Sequence, residues 1–314
     1  MANEITNQSM LTDLRMNNMI SQEIRLLLAD SVSLRNTPYM SFVGSINGQG
    51  SDTIKVRKSG LDGYNADQWA TFSGAQEADA ATNTALTDAS ADVVVKRRSL
   101  AYGISDLAAM TELAGAGGLD PFRIAESIAR SYDGMVADLT SDAYAAFTDV
   151  EATCTNAVLT VSAFQKAFGL LQNKSGKSVP GPYVCVLDPK GFGELQDSIR
   201  TEQGAIKFNP ATYDMISAKG TNYKGSFLGV EIYTSAYVTD DGTDHLQGMW
   251  APGAIGFATG APQIVGGSLV MQMDQVAIEM NRQSANATTQ VIGHAYFGVS
   301  IIDDDRGVLL KSKK

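Results

Sequence analysis

The chain has 314 residues, 44% of them apolar and 18% charged, with a net charge of −10 and two cysteines, Cys154 and Cys185. That length and apolar content allow a real core and argue against disorder, while the acidity argues against a dedicated nucleic-acid binder, whose affinity comes from Lys and Arg on phosphates. Two cysteines give neither a disulfide framework nor a metal set, which fits a reduced, intracellular origin; no run of about 18 apolar residues spans a membrane, and "MANEITNQSM" lacks a signal peptide's basic-then-apolar pattern.

Residues 9–30, "SMLTDLRMNNMISQEIRLLLAD", predict a helix with a thin stripe of Leu11, Leu14, Ile20, Ile24, Leu27 and Leu28, an arm that packs on something else. "TIKVRKS" (53–59) and "ADVVVKRRSLAYGIS" (91–105) are strand-like. The polar stretch between them is too long for a tight hairpin, so the two flanks are expected to pair as a long ribbon. Such a ribbon is not stable alone, and the sequence shows no obvious surface in the same chain to hold it. Residues 120–148 give the clearest helix: Asp120 caps, Pro121 suits the first turn, and Ile124, Ile128, Tyr132, Met135, Leu139, Ala143 and Phe147 step by three or four.

Residues 155–260 read as α/β. Thr160 caps a helix with a Phe164, Phe168, Leu171 face; "YVCVLD" (183–188) is a buried strand; Asp188-Pro189 opens a helix with Phe192, Leu195 and Ile199 inward. "GSFLGVEIYTSAYV" and "LQGMWAPGAIGFATG" add strands and turns. In "SLVMQMDQVAIEM" the apolar parity changes near Asp274, which predicts a bulge or bend. "QVIGHAYFGVSII" (290–302) alternates Val291, Gly293, Ala295, Phe297, Val299, Ile301 and predicts a long final strand paired with 269–280 as a hairpin.

Catalytic signatures are missing. "LQNKSGKS" (171–178) lacks the first Gly of a phosphate loop and follows a helix where such a loop follows a strand; "GAGG" (115–118) lacks the dinucleotide spacing and reads as a joint. His245 and His294 stand outside any HExxH or GxSxG pattern, and His294 reads as a structural residue. No catalytic, cofactor-binding or metal-ligating residue is assigned. Asp303, Asp304 and Asp305 admit three readings: a cation site with the wrong spacing for a calcium loop, a wet strand end, or a docking point for basic residues. Lys55, Arg57, Lys58, Lys96, Arg97 and Arg98 place cations on both ribbon arms, with 55 and 57 on one face and 58 on the other.

The order of these elements, with "YVCVLDPKGFGELQDS", "GSFLGVEIYTSAYV", "MWAPGAIGFATG" and "VIGHAYFGVSIIDDDRGVLL", resembles a tailed-bacteriophage major capsid protein of the Hong Kong 97-like fold, across nearly the whole chain. The resemblance implies an α+β fold with an N-arm (1–43), an extended E-loop ribbon (44–104), a spine helix opening the peripheral domain (105–154), an α/β axial domain (155–260) and a second peripheral part (261–314). It implies hexamers and pentamers closing into an icosahedral shell around double-stranded DNA that is contacted non-specifically, in a virion assembled in the host cytoplasm. A separate scaffold protein and a portal are expected partners, a decoration protein is an open one, and a membrane is not expected. The nine charged residues named above become inter-subunit contact candidates. Some relatives crosslink an E-loop Lys to a peripheral Asn; Lys55, Lys58 or Lys96 and Asn281 or Asn286 are the types present, but nothing aligns them and no crosslink is expected. Two other readings stand beside this one. One is an encapsulin-type compartment of the same fold; the other is an enzyme built on 155–260 using Asp188, Glu194 and His245.

Overall fold

The computed structural model describes residues 40–58, 89–107, 121–174, 179–201, 208–260, 270–273 and 276–314. The arm at 9–30, the ribbon tip, "GAGG" and most of "KSGKS" lie outside the described residues. In chain order the chain forms β1 (Met40–Ser45), β2 (Thr53–Arg57), β3 (Ser90–Val94), β4 (Lys96–Ser105), α1 (Pro121–Ala145), β5 (Val150–Glu151), α2 (Val161–Gln172) and β6 (Tyr183–Leu187). There follow α3 (Pro189–Thr201), β7 (Asn209–Pro210), α4 (Tyr213–Lys219), β8 (Tyr223–Phe227), β9 (Val230–Thr234), β10 (Asp244–Trp250) and β11 (Ile255–Thr259). The last elements are β12 (Val270–Met273), β13 (Val276–Gln283), β14 (Thr288–Ile301), a 3₁₀ turn at Asp304–Arg306 and β15 (Gly307–Lys313).

The strands form two sheets and a ribbon. The first sheet runs β1-β11-β14-β13-β12, with β4 also on β14. Phe297 pairs with Thr259 of β11 and with Lys96 of β4, so these two strands flank β14 on opposite edges. The second sheet runs β5-β15-β10-β6-β9-β8-β7, and β2 pairs with β3 alone. Strands on either side of position 260 exchange between sheets: β11 joins β14 in the first, and β15 joins β10 in the second. The segment bounds 155–260 and 261–314 therefore do not follow the sheets.

The bulge or bend expected near Asp274 falls outside the described residues, and the strands on either side of it run in opposite directions. β12 and β13 pair antiparallel, with Met273 opposite Val276 and Met271 opposite Ile278. Two antiparallel strands joined across this point change apolar parity as a one-residue bulge does, and so leave the same sequence signature.

Helix α1 has 25 residues and, at 1.5 Å per residue, is about 37 Å long. Its first half buries Ile124, Ile128 and Tyr132 against Val291, Ala295 and Phe297 of the first sheet. Its second half reaches the other sheet, where Tyr144 stacks on Trp250 with ring centroids 5.4 Å apart. Gly248 makes that stack possible: a Cβ there would lie 2.5 Å from Tyr144. One apolar cluster thus joins both sheets to one helix.

The second sheet is covered on both faces, which explains why "YVCVL" has no polar gaps. Val184, Val186 and Leu309 face α1; Cys185, Leu187 and Leu310 face Phe164, Leu171 and Leu195 of α2 and α3. Both cysteines are buried, and burial pushes the Cys185 thiol up. Thr160 caps α2, accepting from the Ala163 amide at 3.3 Å, and Asp188 accepts from the Lys190 amide at 2.8 Å at the start of α3.

Phe297 lies where α1 meets the first sheet, 1% exposed, edge-on to Tyr132 at 5.2 Å and 6.2 Å from the ring of Phe257. Phe297→Ala is expected to cost about 3–5 kcal/mol, the usual range for an aromatic deleted from a close-packed core. Urea unfolding should show a lower midpoint at an unchanged slope.

Candidate functional site: the ribbon base and the acidic junction

The ribbon base is built by alternation. In β2 and β3, Thr53 pairs with Val94 and Arg57 with Ser90, and the ladder continues through the Val95 amide to Asp52 O and the Lys58 amide to Ala89 O, both 2.8 Å. Ile54, Val93 and Val95 point inward and are buried with Ala258, flanked by Val43, Ile46, Val56 and Tyr296. This face closes on the same chain, a surface the sequence did not reveal. The closest approach is at Gly298, where a Cβ would lie 2.1 Å from Val94 O. The ribbon rests on bare backbone, and small residues carry no apolar signal that would advertise a docking surface.

The opposite face carries charge. Lys55 and Arg57 are exposed, with Lys55 directly across from Asp92. Lys96 and Arg97 are exposed on β4, whereas Arg98 is half-buried with its guanidinium 5.4 Å from the centre of the Phe297 ring. Lys58 turns the other way, and its Nζ lies 3.8 Å from Asp303 Oδ1.

Asp303 differs from a wet strand end. It is 1% exposed, accepts from the Arg306 Nε at 3.0 Å and from the Asp305 amide at 3.3 Å, and caps the 3₁₀ turn. Burial raises its carboxyl above the usual range, while Arg306 and Lys58 pull it back. The other two aspartates serve different neighbours. Asp304 accepts from the Thr148 amide at 3.0 Å and from its hydroxyl, just past α1, and Asp305 lies 3.6 Å from Lys174, which also pairs with Asp149. Arg306 donates to Pro252 O at 3.2 Å, and the Ile302 amide to Ala254 O at 2.8 Å. The turn therefore ties together the ribbon base, the end of α1, the end of α2 and the β10–β11 crossing. Among the nine charged candidates, Lys58 of the ribbon meets Asp303 of the acidic turn. Thr148, Lys174 and Arg306 were missed; the one sequence hint was the i,i+3 spacing of Asp303 and Arg306.

The residues proposed for an enzyme have structural tasks. Glu194 accepts from the Leu159 amide at 2.9 Å, Asp188 caps α3 with His245 at 3.7 Å, and His294 meets Glu279 at 3.1 Å. Among the described residues no group of three His, Cys, Asp or Glu is placed to hold a metal, and no helix is long and apolar enough to cross a membrane.

A second acidic turn precedes β10. Asp241 accepts from the amides of Asp244 at 2.8 Å and Thr243 at 3.1 Å and from Lys311 at 3.0 Å, and these bonds hold its carboxyl down to about 2. A depressed carboxylate stabilises the fold above the unfolded value of about 3.9, and that contribution disappears as pH falls through the native one. NMR titration should place the Asp241 midpoint near pH 2, and Lys311→Met should raise it.

A long helix laid across two mixed sheets, with a two-stranded ribbon resting on one of them, is the Hong Kong 97-like capsid fold, and this chain has it. The chain is similar to the capsid of a native GTA particle, with TM-score 0.58, 12% identity and 90% of each chain covered. It is similar to the capsid of cyanophage Pam1, with TM-score 0.55, 12% identity, 90% of this chain and 92% of that one covered. The SrpI encapsulin of Synechococcus elongatus PCC 7942 matches with TM-score 0.52 and 9% identity, over 73% of this chain and 78% of that one. No protein-family model matches the sequence, and no curated protein does.

Proposed function

We propose that this chain is the major capsid protein of a tailed phage, a non-enzymatic wall subunit that assembles as hexamers and pentamers into an icosahedral shell around double-stranded DNA. The observation that carries the reading is the likeness to the capsids of cyanophage Pam1 and the GTA particle along about nine-tenths of both chains. The encapsulin matches less of each chain, which makes an enzyme-filled compartment the second reading. In this reading the first sheet with α1 is the peripheral domain, the second sheet the axial domain, and residues 44–104 the E-loop. DNA is held by enclosure, consistent with a net charge of −10. A separate scaffold protein and a portal act with it in the host cytoplasm, and the mature location is the virion.

Lys55, Arg57, Lys96 and Arg97 are exposed cations that contact sister copies. Lys58 and Arg98 belong instead to their own chain. Negative-stain microscopy of the chain expressed with its scaffold should show closed particles. The variant Lys55→Glu/Arg57→Glu/Lys96→Glu/Arg97→Glu should fold and fail to close. Single exposed pairs are worth only about 0–1 kcal/mol, but each is repeated at every contact of the shell. Normal particles from the variant would remove these four residues from the interface; a wild-type chain that stays a monomer would overturn the shell itself. Particles lacking DNase-resistant DNA in the native source would favour the compartment.

A further inference from the structure

Helix α4 is poorly supported: none of its seven residues is buried among the described ones, with Tyr213 85% and Met215 46% exposed. Its last residue holds it, with Lys219 Nζ 4.8 Å from the centre of the Tyr223 ring and paired with Glu231. A helix this short is not stable by itself in water and needs a packed face. It follows β7, the strand at one edge of the second sheet.

The opposite edge of that sheet, at β5, carries a second apolar patch. Val150 and Leu170 are each 40% exposed there. Leu170 and Lys166 lie four residues apart on one stripe of α2, and Lys166 Nζ reaches Thr153 Oγ1 at 3.3 Å, just past β5, so that stripe faces the edge.

The patches complement each other in charge. Asp214 sits between Tyr213 and Met215, and Lys166 one turn from Leu170; among the described residues neither has an ion-pair partner. A two-fold contact through either patch would bring like charge to like. Patches at opposite edges of one sheet instead fit a head-to-tail contact, the kind that closes into rings.

We propose that α4 of one copy docks on the β5–α2 edge of the next, Tyr213 and Met215 covering Val150 and Leu170, and Asp214 meeting Lys166. The proposal rests on the shell reading and names the surfaces that join neighbours within a ring.

Two full-length variants with one added cysteine each, M215C and L170C, with V150C as an alternative to the second, test it. The native cysteines are buried and do not compete. Particles assembled from a mixture of the two variants should give a disulfide-linked dimer under mild oxidation, and particles of either variant alone should not. In parallel, D214K and K166E should each lower the assembled fraction several-fold, and D214K/K166E should restore it. Closed particles with no crosslink at either position and no rescue would overturn the docking while leaving the shell intact. A wild-type chain that never assembles would remove the shell reading and this inference with it.

Discussion

Gly298→Ala is expected to lift the ribbon base off the first sheet. The added Cβ would stand 2.1 Å from Val94 O, and a carbonyl held in a strand ladder cannot step aside as a flexible side chain does. Overpacking of this kind costs about 1–3 kcal/mol. The loss should be local. The amides of Val95 and Lys58, which close the ladder at its two ends, should exchange faster with solvent, while those of α1 and β6 keep their protection. In the proposed shell, assembly should suffer more than stability, because the ribbon's direction is set where it leaves the sheet. Unchanged exchange at both amides would show that the backbone yields at no cost.

Asp303→Ala is expected to cost more, about 3–5 kcal/mol, because it removes the buried carboxylate that Arg306 and Lys58 share. Asp303→Asn should be much milder, since the amide oxygen still accepts from Arg306. The two variants also separate charge from geometry through pH. The buried carboxyl has a raised native value, so the folded state holds its proton to higher pH than the unfolded chain does. The associated stability is fully present below the unfolded value of about 3.9 and is lost as pH rises through the native one. The wild-type chain should show this loss in denaturant midpoints above about pH 4, and Asp303→Asn should abolish it. A pH dependence that survives in the Asn variant would place its source elsewhere.

What the sequence made legible was periodic. The 3.6-residue spacing from Ile124 to Phe147 became α1, and the alternation from Val291 to Ile301 became β14. The caps at Thr160 and Asp188 became real helix starts. What it hid was partnership. Nothing in the alternation of β11 or β15 says which sheet each joins, because a strand's pattern encodes a buried face and not a neighbour. The apolar parity change at Asp274 records that the face is kept, and a reversal of strand direction keeps it as well as a bulge. Gly298 hid the docking place of the ribbon base because the contact is made by an absent side chain. Asp303 hid as one of three identical acids, since burial of a charge depends on cations 245 positions upstream and 3 downstream in the chain, Lys58 and Arg306.

The chain crosses between its sheets twice at one place, from β10 to β11 through residues 251–254 and from β14 to β15 through residues 302–306, with the crossings bonded to each other from the Ala251 amide to Arg306 O at 2.9 Å. Helix α1 then runs beneath both halves like a batten under two boards. A tile stitched in this manner has no seam along which to crease. Under load it would bow as one plate.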